Sequence, residues 1–412
     1  MLTKKLLFNI IVTFSLFSGS YIVAGVKIYP PLLFSVLGFI YYCFFGKLPS
    51  LIFLELKWWA FFVLMVLFCF YVEHDETYLF ILIRYIFKAV VIPIGCCLFI
   101  REVALRLHGE YSENIKDSIF FALIFQLAIT ALQLIFPAFR SEFNSIIELT
   151  DEWMVLAEMG HFRATGLSGL SIYDTSIGYG ILYLFFIPWC FSERYALNYK
   201  FFFATLFIIV LSLIAGRSGF LLVLFTFFIL FVSTNRKLFY SINVCLGLAL
   251  CLISFITISD SEEVYSFFQF VFEPIFNFIE FGSFETASTN ELMNSYLFIP
   301  WDVPPLTGMG IWAQPSINAQ YATDSGIILN YIAFGIAGLV FVLSYAIHFV
   351  IVFNSNIYLP NAIVKSLFLM GFLALIFSFL LKGPIFFSEK IMTAFFLWII
   401  FNDKHISNGR LK

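Results

Sequence analysis

What most constrains this chain is a succession of apolar runs, each close to the roughly 20 residues of helix that cross the hydrocarbon core of a bilayer. They cover 6–26, 28–46, 58–72, 78–100, 118–139, 167–192, 201–216, 218–234, 238–259, 325–353, 366–381 and 384–401. In lipid every backbone polar group needs a partner within the protein, so such runs predict helices. The expected fold is an all-α polytopic membrane protein with about 12 transmembrane helices, a single integral membrane domain over 1–412. Composition agrees, since only 12% of the residues are charged, about half the share of a soluble domain. The net charge of -3 points to no nucleic-acid partner. The 58 phenylalanines are read as lipid-facing bulk without chemistry of their own.

The first run follows Lys4 and Lys5 and could pass for a signal peptide. It is long for a signal core and offers no small-residue cleavage site, so it is read as the first span. The seven cysteines all lie in apolar runs without zinc-ligand spacing. Neither a metal nor a disulfide framework is expected.

Orientation follows from the basic residues of short loops. With the N-terminus inside, eight of the 23 Lys and Arg residues fall outside: Lys27, Arg84, Lys88, Arg140, Arg163, Arg217, Lys382 and Lys390. The other fifteen fall inside, the acids mostly go the other way, and both termini are placed inside. Two outer segments, 140–165 and 260–324, are too long for simple turns. The second precedes the tenth span, and its Phe-rich stretch 264–281 predicts a helix lying on the outer membrane surface. No internal repeat and no inverted pair of broken helices, a mark of many transporters, is visible.

Ionisable residues at membrane depth are costly and mark function by default. Arg84 and Lys88, four residues apart, share one helix face. They either snorkel to the interface or hold a ligand. Arg217 stands between two apolar runs in Ala215-Gly216-Arg217-Ser218-Gly219. Glycines there allow a tight bend and a close backbone approach. Arg163 and His161 end the first long loop, where the acids Glu148, Asp151, Glu152 and Glu158 are available to pair with Arg163. Asp174 is the one acid inside its run, suited to pairing with an arginine or holding a sugar hydroxyl. Arginine's planar fork suits phosphate, so arginines at one outer level suggest a diphosphate or another anionic headgroup as ligand. That level excludes cytoplasmic sugar nucleotides as donors.

The order of these motifs carries a resemblance. Arg163-Ala164-Thr165-Gly166-Leu167-Ser168-Gly169 opens one run, and Ile214-Ala215-Gly216-Arg217-Ser218-Gly219-Phe220 marks the tight turn. Pro304-Pro305-Leu306-Thr307-Gly308-Met309-Gly310 closes the large loop, with Asp324-Ser325-Gly326, Asn330-Tyr331 and Phe334-Gly335-Ile336-Ala337-Gly338-Leu339 beyond. The set resembles the O-antigen polymerase (Wzy) family, within the O-antigen ligase and polymerase superfamily. The resemblance covers about 163–339; the first four spans add only topology.

It implies a GT-C-like helical architecture in the bacterial inner membrane, with both long loops periplasmic. It also implies a metal-independent, cofactor-free membrane glycosyltransferase that joins undecaprenyl-pyrophosphate-linked repeat units into O-antigen or capsule. Arg163 and Arg217 match the arginines that hold the donor diphosphate; Arg84, Lys88, His161 and Asp174 are further substrate-binding candidates. Asp324 is either the carboxylate that takes the acceptor proton or a helix N-cap. Where ligases commonly carry His-Asn, this chain has Asp324-Ser325, which leans toward polymerase. It also has no basic residue between Lys237 and Lys365, where family members often place an arginine. Rival expectations are an O-antigen ligase and a polytopic transporter or flippase. A flippase and a chain-length regulator are partners implied by family alone.

Overall fold

The computed structural model describes residues 2–45, 50–108, 112–148, 166–168, 172–234, 249, 269, 273–283, 285–312, 321 and 323–402. His161, Arg163 and nearly all of the expected span over 238–259 lie outside the described residues.

The described helices are α1 Leu2–Phe17, α2 Pro30–Phe45, α3 Ser50–Glu73, α4 Thr77–Tyr85, α5 Ile92–His108, α6 Ser112–Ile135 and α7 Pro137–Ile146. After them come α8 Ile172–Tyr183, α9 Ile187–Cys190, α10 Tyr195–Ala215, α11 Arg217–Ser233, α12 Glu273–Phe281 and α13 Ala287–Glu291. Finally, α14 is Gly326–Asn356, α15 Ala362–Lys382 and α16 Glu389–Asn402. Six helices are long and apolar enough to cross a membrane: Ile52–Glu73, Thr77–Leu107, Ile115–Ile135, Tyr195–Ala215, Gly326–Asn356 and Ala362–Lys382. Two more, Pro30–Phe44 and Arg217–Ser233, are apolar but shorter. The protein is a helical, multi-pass membrane protein.

Several boundaries differ from the hydropathy reading, each for a local reason. The first run ends as helix at Phe17, because Ser18-Gly19-Ser20 favours a turn. Its remainder joins the antiparallel hairpin β1 Tyr21–Val23 and β2 Val26–Ile28. Ala24 and Gly25 turn that hairpin at φ 51 and 76. The run 118–139 stops at Ile135, where Pro137 starts a new helix, so the expected loop 140–165 begins as helix. Residues 77–107 form one continuous rod from α4 to α5 through a π-helical turn, Ile86–Val91, which carries Lys88. The expected surface helix over 264–281 is described as helix from Glu273 onward.

A further break that hydropathy hides lies inside α14. Gly335 has φ 64 and ψ -150, so the rod is two helices meeting at a kink. The Pro304–Gly310 loop fills that gap. Ile336 N donates to Pro305 O at 2.7 Å, Met309 N to Ile332 O at 2.7 Å and Gly310 N to Ala333 O at 3.1 Å. Backbone freed at membrane depth is thereby satisfied within the protein.

Phenylalanine also builds the interior. Phe62 lies 5.0 Å from Phe341 and 5.8 Å from Phe387, and Phe349 stacks on Phe395 at 4.5 Å. The bundle has two distinct polar ends. At one, Lys200 pairs with Asp117 at 2.6 Å, and Lys5 reaches the same acid at 3.8 Å. At the other, reached at the far end of the 21-residue α10, lie the starts of α8, α11, α14 and α16 and the end of α15.

Candidate functional site

The first turn of α8 organises this second end, because four consecutive residues reach four other elements. Tyr173 donates its hydroxyl to Phe379 O at 2.8 Å, beside the Ser218 hydroxyl, and Lys382 lies 5.8 Å above its ring. Asp174 lies within electrostatic reach of Lys88 and Lys390. Thr175 Oγ1 accepts from Lys390 Nζ at 3.1 Å, and the same ammonium donates to Ser168 O at 2.9 Å. Ser176 donates to Gly216 O and accepts from Gly219 N at 3.0 Å.

Gly219 explains how α11 comes so close. A Cβ there would stand 1.7 Å from Ser176 O, so only hydrogen fits between the two backbones. That contact sets Arg217, at the start of α11, beside the start of α8. Arg217 Nη1 donates to Glu273 Oε2 at 2.7 Å, with both side chains about one-fifth exposed. The outer helix α12 is thereby tied to α11.

Lys88 faces Arg84, Glu389, Asp174 and Lys27. Both Arg84 and Lys88 are exposed, on the rod that carries the π turn. Glu389 accepts the Tyr29 hydroxyl, which tethers the start of α16 to the hairpin. The hairpin is itself tied down: Lys27 pairs with Glu148 at 2.6 Å, and Tyr21 donates to Leu167 O at 3.0 Å.

Asp324 stands on the rim, exposed, just before α14. Ser325, not Asp324, caps that helix, accepting from Ile328 N, so the capping alternative for Asp324 falls away. Loss of water around the Asp324 carboxyl pushes its pKa up, Glu291 adds to this, and Lys382 opposes it.

The structure therefore brings Arg84, Lys88, Asp174, Arg217 and Asp324 to one end of the bundle. Sequence reasoning passed over Lys382, Lys390, Glu389, Tyr29, Tyr173 and Glu273. For Glu389 and Lys390 the signal was present, as two charges inside an otherwise apolar run. Among the described residues no group of three or more His, Cys, Asp and Glu is placed to hold a metal ion. No protein-family model matches the chain, and neither a curated protein nor a solved structure matches it.

Proposed function

We propose that the chain polymerises undecaprenyl-pyrophosphate-linked oligosaccharide repeat units at the periplasmic face of the bacterial inner membrane. In this reading it is a metal-independent glycosyltransferase of GT-C-like architecture with twelve spans and both termini cytoplasmic. One observation carries it: Arg84, Lys88, Arg217, Lys382 and Lys390 converge from four helical segments on one end, around the start of α8. Guanidinium and ammonium groups there suit a diphosphate, and the helix start adds its own positive end.

The chemistry follows from that charge. Breaking the anomeric carbon–oxygen bond of a sugar diphosphate leaves extra negative charge on the phosphate. Fixed cations hold that charge most tightly in the transition state, which is where binding accelerates reaction. Arg217 and Arg163 serve the donor diphosphate, with Arg84 and Lys88 beside them. His161 and Asp174 orient the glycan, and a carboxylate, Asp324 in the sequence reading, takes the acceptor proton.

The test is a strain lacking the gene, complemented with Arg217→Ala or Arg217→Lys. Loss of long surface polysaccharide with retention of single repeat units supports a polymerase. Loss of all repeat units points to a ligase instead, and normal long chains overturn the reading.

A second reading, a transporter or flippase, draws on two features. One is the interrupted helix at Gly335. The other is a buried Glu55–His348 pair at 2.6 Å, remote from the cationic end. Repeat units trapped on the cytoplasmic face in the deletion strain would favour it.

A further inference from the structure

We propose that Glu389 is the carboxylate that removes the acceptor hydroxyl proton, with Tyr29 as its positioning residue. This rests on the polymerase reading and moves the proton-accepting role from Asp324 to a residue that hydropathy treats as a flaw in a span.

The carboxylate is fixed but not saturated. Tyr29 donates to Oε2, and among the described residues Oε1 takes no hydrogen bond. Glu389 is half-buried at the start of α16. It is also no ordinary structural ion pair. Lys390, its chain neighbour, directs its ammonium to Ser168 O and Thr175 Oγ1. Among the described residues, neither Lys390 nor Lys88 closes to ion-pair distance of Glu389. Both stay within electrostatic reach of it.

Placement also favours Glu389 over Asp324. The base must lie beside the carbon whose leaving group the cations hold, within hydrogen-bond reach of the attacking hydroxyl. Glu389 shares Lys88 with Arg84 and Asp174, and Lys390 is its chain neighbour. Asp324 stands on the exposed rim between Glu291 and Lys382, where a second carboxylate repels an anionic substrate.

The step balances without a co-reactant. The acceptor hydroxyl oxygen forms a bond to the anomeric carbon of the donor. The anomeric carbon–oxygen bond to phosphate breaks, and its electron pair leaves on undecaprenyl diphosphate beside the cations. The hydroxyl proton passes to Glu389 Oε1 and is then released to water, restoring the carboxylate.

The experiment compares Glu389→Gln, Glu389→Asp and Arg217→Ala in the deletion strain, reading surface glycan length. Each variant, as purified full-length protein in nanodiscs, is also tested for binding of undecaprenyl diphosphate. Glu389→Gln is expected to stop chain growth at one repeat unit, at least a hundredfold loss of polymer, while binding the probe within about twofold of wild type. Glu389→Asp is expected to restore part of the chain length. A normal glycan ladder in Glu389→Gln overturns the proposal, as does equal loss of probe binding and polymer in both Glu389 variants, which marks a structural residue. Full chain length in Arg217→Ala would instead overturn the polymerase reading itself, so the two failures are distinguishable.

Discussion

Arg217 and Glu273 lie 56 residues apart and meet at 2.7 Å, joining the first residue of α11 to the first residue of α12. The carboxylate stands where an anionic ligand of the arginine would place its oxygens. A diphosphate entering this end competes with Glu273 for the same planar donors. The contact is only partly buried, so its worth is modest, about 1 kcal/mol. Glu273→Gln is expected to tighten undecaprenyl diphosphate binding roughly fivefold, that energy expressed as a ratio. The gain should shrink in high salt, which screens the pair that wild type must break. Binding isotherms at two salt concentrations check this, and unchanged or weaker binding counts against competition.

Asp324 gives a pH dependence with a definite sign. Its carboxyl titrates above the ordinary aspartate value because the fold removes water from it and sets Glu291 nearby. The folded state thus holds the proton more tightly than the unfolded chain. Its stabilising contribution is present in acid and is lost as pH rises through the raised folded value. Asp324→Asn should therefore be at least as stable as wild type at pH 7, and the difference should vanish toward about pH 4, near the ordinary carboxyl value. Melting temperatures of both proteins across that range test it. A variant that melts lower than wild type at neutral pH would show that the Lys382 attraction dominates.

The Glu55–His348 pair tests a different part of the bundle. Glu55 is 1% exposed and His348 13%, and Tyr345 donates to the second Glu55 oxygen at 3.2 Å. The pair joins α3 to α14. Removing the imidazole leaves a buried carboxylate with one donor fewer, which costs about 3 kcal/mol. His348→Ala should therefore lower the thermal midpoint in detergent. Replacing both partners, as Glu55→Leu with His348→Phe, should recover much of the loss, because no charge is then left buried. If the double variant is less stable than His348→Ala, the pair contributes more than a desolvation balance.

Much of the fold was legible because lipid imposes a simple rule: apolar runs of bilayer length are helices. The rule fails where a break carries no polar signature. Gly335 sits in Phe334-Gly335-Ile336-Ala337-Gly338, which reads as unbroken apolar helix, and only a distant loop satisfies the freed backbone. The opposite failure occurs at Glu389 and Lys390. Their charges weakened the last span in hydropathy terms, although they belong to the polar end that the bundle assembles. Arg84, Lys88 and Arg217 stood out because a charge within or between apolar runs is costly. Glu273, the partner of Arg217, was not, since nothing local distinguishes one loop acid from its neighbours. Pairing across 56 residues is a product of tertiary structure.

Gly219 offers the most direct test of how the site is held. Its missing side chain lets α11 settle on α8, and a methyl there would lie 1.7 Å from Ser176 O, which is backbone and cannot rotate away. Gly219→Ala must therefore push α11 outward, at a cost of about 1–3 kcal/mol for overpacking. Arg217 moves with it, away from the start of α8. Gly178, on α8 itself, is a matched control, because a Cβ there meets nothing within 4 Å. Gly178→Ala should leave surface glycan length and undecaprenyl diphosphate binding near wild type. Gly219→Ala should still insert in the membrane, yet bind the diphosphate at least tenfold more weakly and shorten the glycan. Equal binding by the two alanine variants would mean that the close approach of α8 and α11 does not position Arg217.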